Sequence, residues 1–450
     1  MRQFLENLTK GNSRSVIVKK NIGLSLVIRG MSILVSLALV PLTLGYVSSE
    51  VYGIWLTISS IVTWLGFFDI GFTNGLKNKL TEAIALEDWE KGRKLVSTTY
   101  FMMAIIFGPL FVLLAIGIPF VNWCSILNID SKYEIDIVRA LYVITLCFCL
   151  HMFTHVFVTV VAAYQRVALS SLFPVIGNIL SFFVIYILTK TTSPSLYVLS
   201  IAISSMPIVV VGIASLIGYQ SYFKKVAPKL SLIDKGKIHD LFSLGYKFFI
   251  IHIQVIVFYQ TTNMLISYIS GPNDVTNYNI AYKYISVLMM AFNIFLMPLW
   301  PAFTDAFTKR DYSWMNRIYK KLTTIYWGSI LLVIIMVLFS PIVYHLWIGD
   351  RTEIPWLMTI MVALYVAAHS WMSLHVTLIN GVGYIKLQTC VTMLGLFFHI
   401  PFAFLLGKAF SMGAYGVITS MIIIEIVYSI VFKVQVNKVL INKEKGIWAS

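Results

Sequence analysis

Basic residues alternate from loop to loop along this chain, and this alternation restricts its fold more than any other feature. The 450 residues divide into twelve apolar spans. Counting the three residues at each span end with the adjoining loop, 26 of the 34 Lys and Arg residues lie in the N-terminal tail, the even-numbered loops and the C-terminal tail, whereas five lie in the odd-numbered loops. Basic loops resist translocation and stay on the cytoplasmic side. The pattern therefore predicts a multi-pass membrane protein with both termini in the cytoplasm.

Composition supports a protein whose solvent is lipid. Hydrophobic residues make up 58% of the chain and charged residues 12%, whereas a soluble domain has about 25% charged residues. The net charge of +15 favours an anionic partner. Because the basic stretches alternate with apolar spans, we expect that partner to be a lipid bilayer surface and not nucleic acid. The four cysteines have no spacing typical of a disulfide framework or a metal site.

The spans define the predicted domains. A helix needs about 20 apolar residues to cross a bilayer, and we predict spans at residues 22–44, 51–72, 95–121, 137–163, 168–189, 196–222, 244–270, 277–303, 322–347, 356–380, 386–408 and 413–435. The predicted domains are a cytoplasmic N-terminal segment at 1–21, an N-lobe of helices 1–6 at 22–222, a cytoplasmic linker at 223–243, a C-lobe of helices 7–12 at 244–435 and a cytoplasmic tail at 436–450. Residues 74–94 and 224–243 are predicted as helices in the membrane interface.

The two halves of the chain resemble each other. Glu50-Val51 opens the second span and Asp274-Val275 opens the eighth, each after a glycine-bearing turn. Units with an even number of spans form parallel repeats, related by an axis along the membrane normal, with the binding site between them. We therefore predict an all-α membrane protein whose twelve transmembrane helices form two six-helix bundles related by a pseudo-twofold axis along the membrane normal.

Three cations lie inside the predicted spans, where ionisable residues are candidates for function. Arg29 lies deep in span 1, and its predicted role is in a central cavity. The internal repeat places it level with His252 and Gln254 of span 7. Lys247 lies near the start of span 7, where its head can also reach the interface. For Lys283, in the outer part of span 8, a cavity position and an interfacial position remain equal alternatives.

Acidic and polar residues supply the other candidates. Asp69 and Asp305 lie near predicted cytoplasmic helix ends and are gate or coupling candidates, with helix capping as the alternative. Glu425 is the most central acid and must be protonated or paired, because a bare charge is costly in lipid. Asn74 is a candidate for substrate binding in the cavity.

No metal, cofactor or catalytic site is expected. His151 and His155 are four residues apart on one helix face, but no third ligand is evident, which favours interhelical hydrogen bonding. The chain has no Walker A motif, HExxH motif or nucleophile elbow, so we expect no enzymatic activity. A proton or sodium gradient is the candidate energy source.

One stretch resembles a known family. Gly53-x-Trp55, followed by Phe68-Asp69-x-Gly71-x-x-Asn74-Gly75-Leu76, is similar to the polysaccharide or O-antigen flippases (Wzx-like). That family belongs to the superfamily that also holds multidrug and toxic-compound exporters and the peptidoglycan lipid flippase. Arg29, Pro41-Leu42 and the six-plus-six plan agree with the resemblance. The family has no invariant catalytic set, so the candidate sites depend on their positions in the spans.

The resemblance implies a function. It implies a protein of the bacterial inner (cytoplasmic) membrane that flips an undecaprenyl-diphosphate-linked oligosaccharide, an O-antigen or capsular or exopolysaccharide repeat unit, to the outer leaflet by alternating access. A glycan polymerase and glycosyltransferases are the implied protein partners. Two alternatives stay open: a cation-coupled multidrug exporter of the same superfamily, and a membrane enzyme that polymerises lipid-linked glycans. The basic residues in spans 1 and 7 oppose the first, and the short outer loops oppose the second.

Overall fold

The structure is a computed structural model that describes residues 13–69, 72–164, 166–234, 236, 260–296, 299–441 and 445–449. All regular elements in these ranges are helical. Nine helices among the described residues are long and apolar enough to cross a membrane, and they coincide with nine of the predicted spans. An all-α, membrane-spanning fold is therefore confirmed. The count of twelve and the pseudo-twofold axis stay predictions.

Fifteen α-helices organise the described residues. They are α1 Ser13–Tyr46, α2 Ser49–Thr63, α3 Phe72–Ala85, α4 Trp89–Gly117, α5 Trp123–Leu127, α6 Glu134–Ala163, α7 Val167–Thr191, α8 Leu196–Gln220, α9 at 260–270, α10 Pro272–Leu296, α11 Leu299–Thr308, α12 Tyr312–Ile348, α13 Trp356–Val382, α14 Lys386–Phe404 and α15 Ala414–Leu440. A 3₁₀ turn, Trp64–Asp69, continues α2, and a π-helical turn, Leu405–Ala409, continues α14.

Local capping sets several helix ends. The side chains of Asp88, Ser195 and Asp311 accept hydrogen bonds from the first turns of α4, α8 and α12. These bonds satisfy backbone N–H groups that have no partner inside a helix. At the other end of α13, Gly383 adopts a left-handed conformation with φ of 88°, which glycine accepts without steric cost.

The described residues form two compact units. The N-terminal unit contains those of Met1–Val47, Ile58–Cys124 and Asp130–Ile253, and the C-terminal unit contains those of Ser48–Thr57, Ser125–Ile129 and Gln254–Ser450. The predicted domain boundaries stay predictions.

Each unit packs around its own core. In the N-terminal unit, α6 packs against α3, α4 and α8, while α7 packs against α1 and α8. In the C-terminal unit, α13 is central and packs against α10, α11, α12 and α15. This central position of α13 determines which polar side chains can meet inside the unit.

Two interfacial helices predicted from the sequence are not continuous helices. The predicted helix at 74–94 ends at Ala85, and α4 begins at Trp89 after a turn in which Glu87 has φ of 55°. The Asp88 cap ends the amphipathic pattern and starts the membrane helix earlier than hydropathy indicates. In the predicted helix at 224–243, the described part forms two 3₁₀ turns, Lys224–Val226 and Leu230–Leu232, separated by Pro228.

Candidate functional site

The predicted cation Arg29 lies on α1 and is exposed. Its neighbour Ile28 is buried against Ala168 and Val175 of α7, so the packed face of α1 and the face that carries the guanidinium are different. Among the described residues, Arg29 forms no ion pair. The guanidinium thus keeps its full charge on a helix of membrane-spanning length.

The cation Lys283 lies on α10 and is partly buried. Its Nζ donates a hydrogen bond of 3.4 Å to the hydroxyl of Tyr52, and the Tyr52 ring stacks on Trp55 with centroids 6.0 Å apart. No carboxylate in the described part of the chain pairs with Lys283. A neutral hydroxyl orients the ammonium group but leaves its charge available.

A close approach of two helix starts places Tyr52 beside Lys283. A Cβ atom at Gly53 would overlap the carbonyl oxygen of Pro272 at the start of α10. One turn away, the Thr276 hydroxyl donates a hydrogen bond of 2.7 Å to the Ser49 carbonyl. Glycine in the Gly53-x-Trp55 motif is therefore required by packing, because any side chain would separate α2 from α10.

The second polar group of the C-terminal unit is centred on Glu425 of α15. The side chain is buried, and its Oε1 lies 2.9 Å from Nδ1 of His369 on α13. His369 Nε2 lies 3.4 Å from the hydroxyl of Ser373. Within the described residues, Glu425 Oε2 has no hydrogen-bond partner. The contact thus joins two ionisable side chains from α13 and α15 inside the unit.

Aromatic rings connect the two polar groups within the C-terminal unit. The stacked rings of Tyr278 and Tyr282 have centroids 5.9 Å apart. The ring centroids of Tyr282 and Tyr365 lie 6.3 Å apart, and those of Tyr365 and His369 lie 6.0 Å apart. Tyr282 precedes Lys283 on α10. We call Tyr278, Tyr282, Tyr365, His369 and Glu425 the tyrosine–histidine seam. It extends from the cation on α10 to the buried acid on α15.

Two asparagine amides lie on α9 and α10, close to the seam in the sequence. Asn279 of α10 donates a hydrogen bond of 2.8 Å to the side-chain oxygen of Asn263 on α9. The same Asn279 nitrogen donates a second hydrogen bond of 2.8 Å to the Val275 carbonyl. The α9–α10 pair thus presents groups of the kind that bind hydroxyl-rich ligands.

The other predicted site residues are placed less completely. Lys247, His252 and Gln254 lie outside the described residues. Asp69 ends the 3₁₀ turn after α2, Asn74 lies in α3 and Asp305 lies in α11, and these placements concern the backbone alone. Of the nine predicted residues, Lys283 and Glu425 lie on helices of one unit that the seam connects.

His369 is the main residue that the sequence reasoning missed. It lies near the middle of a predicted span, where any ionisable side chain is a functional candidate, so the signal was present.

His151 and His155 have ring centroids 5.7 Å apart. In the part of the chain that the structure describes, no group of three His, Cys, Asp or Glu residues is placed to hold a metal ion.

Solved structures define the class of protein. An inward-facing multidrug resistance MATE family transporter of the MOP superfamily matches with a TM-score of 0.76 and 14% identity, over 93% of this chain and 98% of the transporter. An outward-facing transporter of the same description matches with a TM-score of 0.61 and 14% identity, over 98% of each chain. A MOP superfamily transporter from Pyrococcus furiosus, described as having a binding pocket of reverse polarity, gives the same TM-score, identity and coverage. The fold is that of a MOP-superfamily transporter.

The sequence itself places the chain in a narrower group. Residues 18–307 match the family model described as polysaccharide biosynthesis protein. The protein belongs to this family, and the resemblance to polysaccharide flippases is confirmed. It is a multi-pass membrane protein with a transporter fold, in agreement with the expectation of no enzymatic activity. A comparison with curated proteins gives no significant match.

Proposed function

We propose that this protein translocates an undecaprenyl-diphosphate-linked oligosaccharide from the cytoplasmic to the outer leaflet of the bacterial inner membrane by alternating access. One observation carries the proposal: in a polysaccharide-biosynthesis protein, Arg29 on the membrane-length helix α1 and Lys283 on α10, the predicted eighth span, have no carboxylate partner among the described residues. A cation without a carboxylate partner in a membrane is costly. We therefore expect such a cation where an anion crosses the membrane.

The diphosphate is the part of this substrate that the membrane opposes most. Its charges lose hydration in a low-dielectric environment, and fixed cations offset that loss. An arginine fork binds phosphate oxygens through two parallel hydrogen bonds, whereas a lysine acts as a point charge. Arg29 supplies the first kind of contact and Lys283 the second.

The sugars need hydrogen-bonding groups and flat apolar surfaces. Tyr282 is partly buried and combines an aromatic face with a hydroxyl group. Asn263 and Asn279 add amides on the neighbouring α9 and α10. Tyr282 and these two amides therefore contact the glycan in the proposed mechanism, while the prenyl chain remains in lipid.

The Glu425–His369 pair is the proposed coupling site for protons. Both groups titrate, and the carboxyl is buried while His369 is 15% exposed at its side chain. The groups that face the pair include Ser373 and Tyr365 on α13, Tyr282 on α10 and Tyr428 on α15. Proton uptake on one side of the membrane and release on the other would alternate the charge of the pair and drive the transport cycle.

A cation-coupled multidrug exporter is the second candidate function. A buried acid such as Glu425 favours it, because an acid in a membrane helix can hold a cation. The cations Arg29 and Lys283 oppose it, because they repel cationic drugs. A glycan polymerase and glycosyltransferases remain the proposed protein partners of the flippase.

A leaflet assay tests the proposal. The purified protein is reconstituted in vesicles with a fluorescent undecaprenyl-diphosphate-linked oligosaccharide, and a membrane-impermeant quencher reports the fraction in the outer leaflet. We expect the protein to accelerate transfer between leaflets over protein-free vesicles. A protein that leaves this lipid in place but transports a cationic dye would be an exporter, and the flippase proposal would be wrong.

A further inference from the structure

The segment that follows α8 is part of the core of the N-terminal unit. Lys229 N donates a hydrogen bond of 2.9 Å to the Ser97 hydroxyl on α4, and Asp234 N donates one of 3.0 Å to the Thr98 hydroxyl. Val226 is buried against α3 and α4. These contacts hold residues 226–234 against the first turns of α4, so the space beneath them has fixed walls.

A cavity of about 440 Å³ lies beneath this segment. The residues that line it include Tyr100, Phe101, Ala104, Phe153, Tyr219 and Lys229. The hydroxyl groups of Tyr100 and Tyr219 lie 3.2 Å apart and hydrogen bond to each other. Because these two hydroxyl groups bond to each other, the wall that Tyr100 and Tyr219 form is mainly apolar toward the cavity.

The cavity reaches the outer surface of two helices of membrane-spanning length. Ala104 and Phe153 line it and are exposed, and both lie on helices that are long enough to span a bilayer. Phe101 and Ala104 lie one helical turn apart on α4. An apolar chain that enters between them would lie parallel to neighbouring lipid chains.

One basic residue lines the cavity, and further basic residues are close to it in the sequence. Lys229 forms part of its wall, and Lys224 and Lys225 precede it in the same segment. Arg93 lies one turn before Ser97 and donates a hydrogen bond of 3.2 Å to the Lys224 carbonyl. Lys229 therefore supplies the positive charge of the cavity wall, while the Lys225 ammonium lies 4.4 Å from the centre of the Trp89 ring.

Nearby carboxylates are already engaged with other groups. Glu82 pairs with Lys91 at 3.0 Å and Glu90 with Lys94 at 2.8 Å. The hydrogen bond from Lys91, with the charge of Lys79, holds the pKa of Glu82 below its ordinary value, so this carboxylate stays ionised. Asp234 accepts a hydrogen bond from Gly236 N. Lys224, Lys225 and Lys229 form no ion pair within the described residues.

We propose that this cavity binds one anionic phospholipid of the surrounding bilayer. The headgroup phosphate contacts Lys229 at the rim, and an acyl chain lies against Phe101, Ala104 and Phe153. Basic pockets beside membrane helices select anionic headgroups in this way. A bound lipid would hold the 226–234 segment against α4. The inference is independent of the substrate that the transporter carries.

Native mass spectrometry of the purified full chain tests the site. The protein is titrated with dioleoyl phosphatidylglycerol and, separately, with dioleoyl phosphatidylcholine. We expect the first bound lipid to show about fivefold tighter binding for phosphatidylglycerol, the size expected for one lysine near an anionic headgroup. Lys229→Gln should remove this preference, because the variant keeps the backbone hydrogen bond to Ser97 and loses only the charge.

Two further variants separate a built site from general surface charge. Lys190→Gln removes an exposed cation elsewhere in the same unit and should leave the preference unchanged. Ala104→Phe fills the cavity and should weaken the first binding step for both lipids. Equal binding of the two lipids by the wild-type protein, or equal losses in Lys229→Gln and Lys190→Gln, would overturn the proposal. Soluble glycerol 3-phosphate should not displace the lipid, and displacement would show that the site binds phosphate alone.

Discussion

Nδ1 of His369 lies 2.9 Å from Oε1 of Glu425, and this contact joins α13 to α15 inside the C-terminal unit. The two residues are 56 positions apart in the chain. Removing a buried pair from water costs several kcal/mol for each ion. The proposed exchange of protons at this pair is one way in which such a buried contact could serve a transport cycle.

Glu425→Gln tests the role of this pair. The amide keeps the size of the side chain but cannot release a proton, so we expect transport driven by a pH gradient to fall about tenfold, equivalent to ~1.4 kcal/mol. The residual transport should not depend on pH. Flux into vesicles with and without an imposed gradient measures both effects. Glu353→Gln, at an exposed acid of the same unit, is the control. Unchanged gradient dependence in Glu425→Gln would make Glu425 a structural residue.

Arg29→Ala tests the cation on α1. A charged hydrogen bond to a dehydrated diphosphate contributes ~1.5–3 kcal/mol, so surface glycan should fall roughly ten- to a hundredfold. Arg29→Lys should retain part of the activity, because the charge remains and the two-pronged geometry is lost. Surface glycan is measured together with the amount of protein in the membrane. Normal glycan from a well-inserted Arg29→Ala protein would contradict the role of Arg29 in binding.

Lys283 and Tyr52 form a matched pair of substitutions. Lys283→Met removes the charge and keeps the length of the side chain, whereas Tyr52→Phe removes only the hydrogen bond to Nζ. We expect Lys283→Met to reduce the affinity for the lipid-linked glycan about tenfold, ~1.4 kcal/mol, and Tyr52→Phe to reduce it much less. Dissociation constants from binding in detergent distinguish the two. Equal losses would show that orientation of the ammonium, and not its charge, determines binding.

Gly53→Ala tests the close approach of α2 and α10. The added methyl group would overlap the Pro272 carbonyl oxygen, and relief of such overpacking costs ~1–3 kcal/mol of stability. We expect a lower midpoint of thermal unfolding in detergent. Gly108→Ala is the control, because a Cβ at Gly108 meets no atom within 4 Å. An unchanged midpoint in Gly53→Ala would contradict the observed packing of these helix starts.

Cysteine labelling tests the membrane orientation. Asn273 and Lys224 are both exposed, and the charge pattern predicts that Asn273 lies outside the cell and Lys224 in the cytoplasm. In a variant without native cysteines, an impermeant maleimide added to intact cells should label Asn273→Cys and not Lys224→Cys. Permeabilised cells should show labelling at both positions. Labelling of Lys224→Cys in intact cells would overturn the predicted orientation.

The apolar spans were predictable because lipid imposes a strong constraint on composition. Nine of them appear as helices of the expected position, whereas their ends differ wherever a local interaction decides. The Asp88 side chain caps α4 and moves its start from the predicted residue 95 to Trp89, a bond that hydropathy does not encode. Similarly, the Asp311 cap starts α12 at Tyr312, so Arg317, Lys320 and Lys321 of the predicted loop lie on a helix.

The candidate site was predictable only in part. Glu425 and Lys283 were identifiable because charge inside a span is rare. Their partners were not, since Tyr52 is 231 residues away from Lys283 and no periodicity relates the two. The Gly53-x-Trp55 motif was recognisable in the sequence. The reason for its glycine is the nearby carbonyl of Pro272, which belongs to a segment far away in the chain.

The hydrogen bond from Thr276 to the Ser49 carbonyl also has a consequence for biosynthesis. Its two residues are 227 positions apart, and residues Ser48–Thr57 belong to the C-terminal unit. The ribosome therefore makes this piece of the second unit long before its partners α9 and α10. During translation the start of α2 must wait without this contact, so the C-terminal unit cannot complete its fold until α10 has been made.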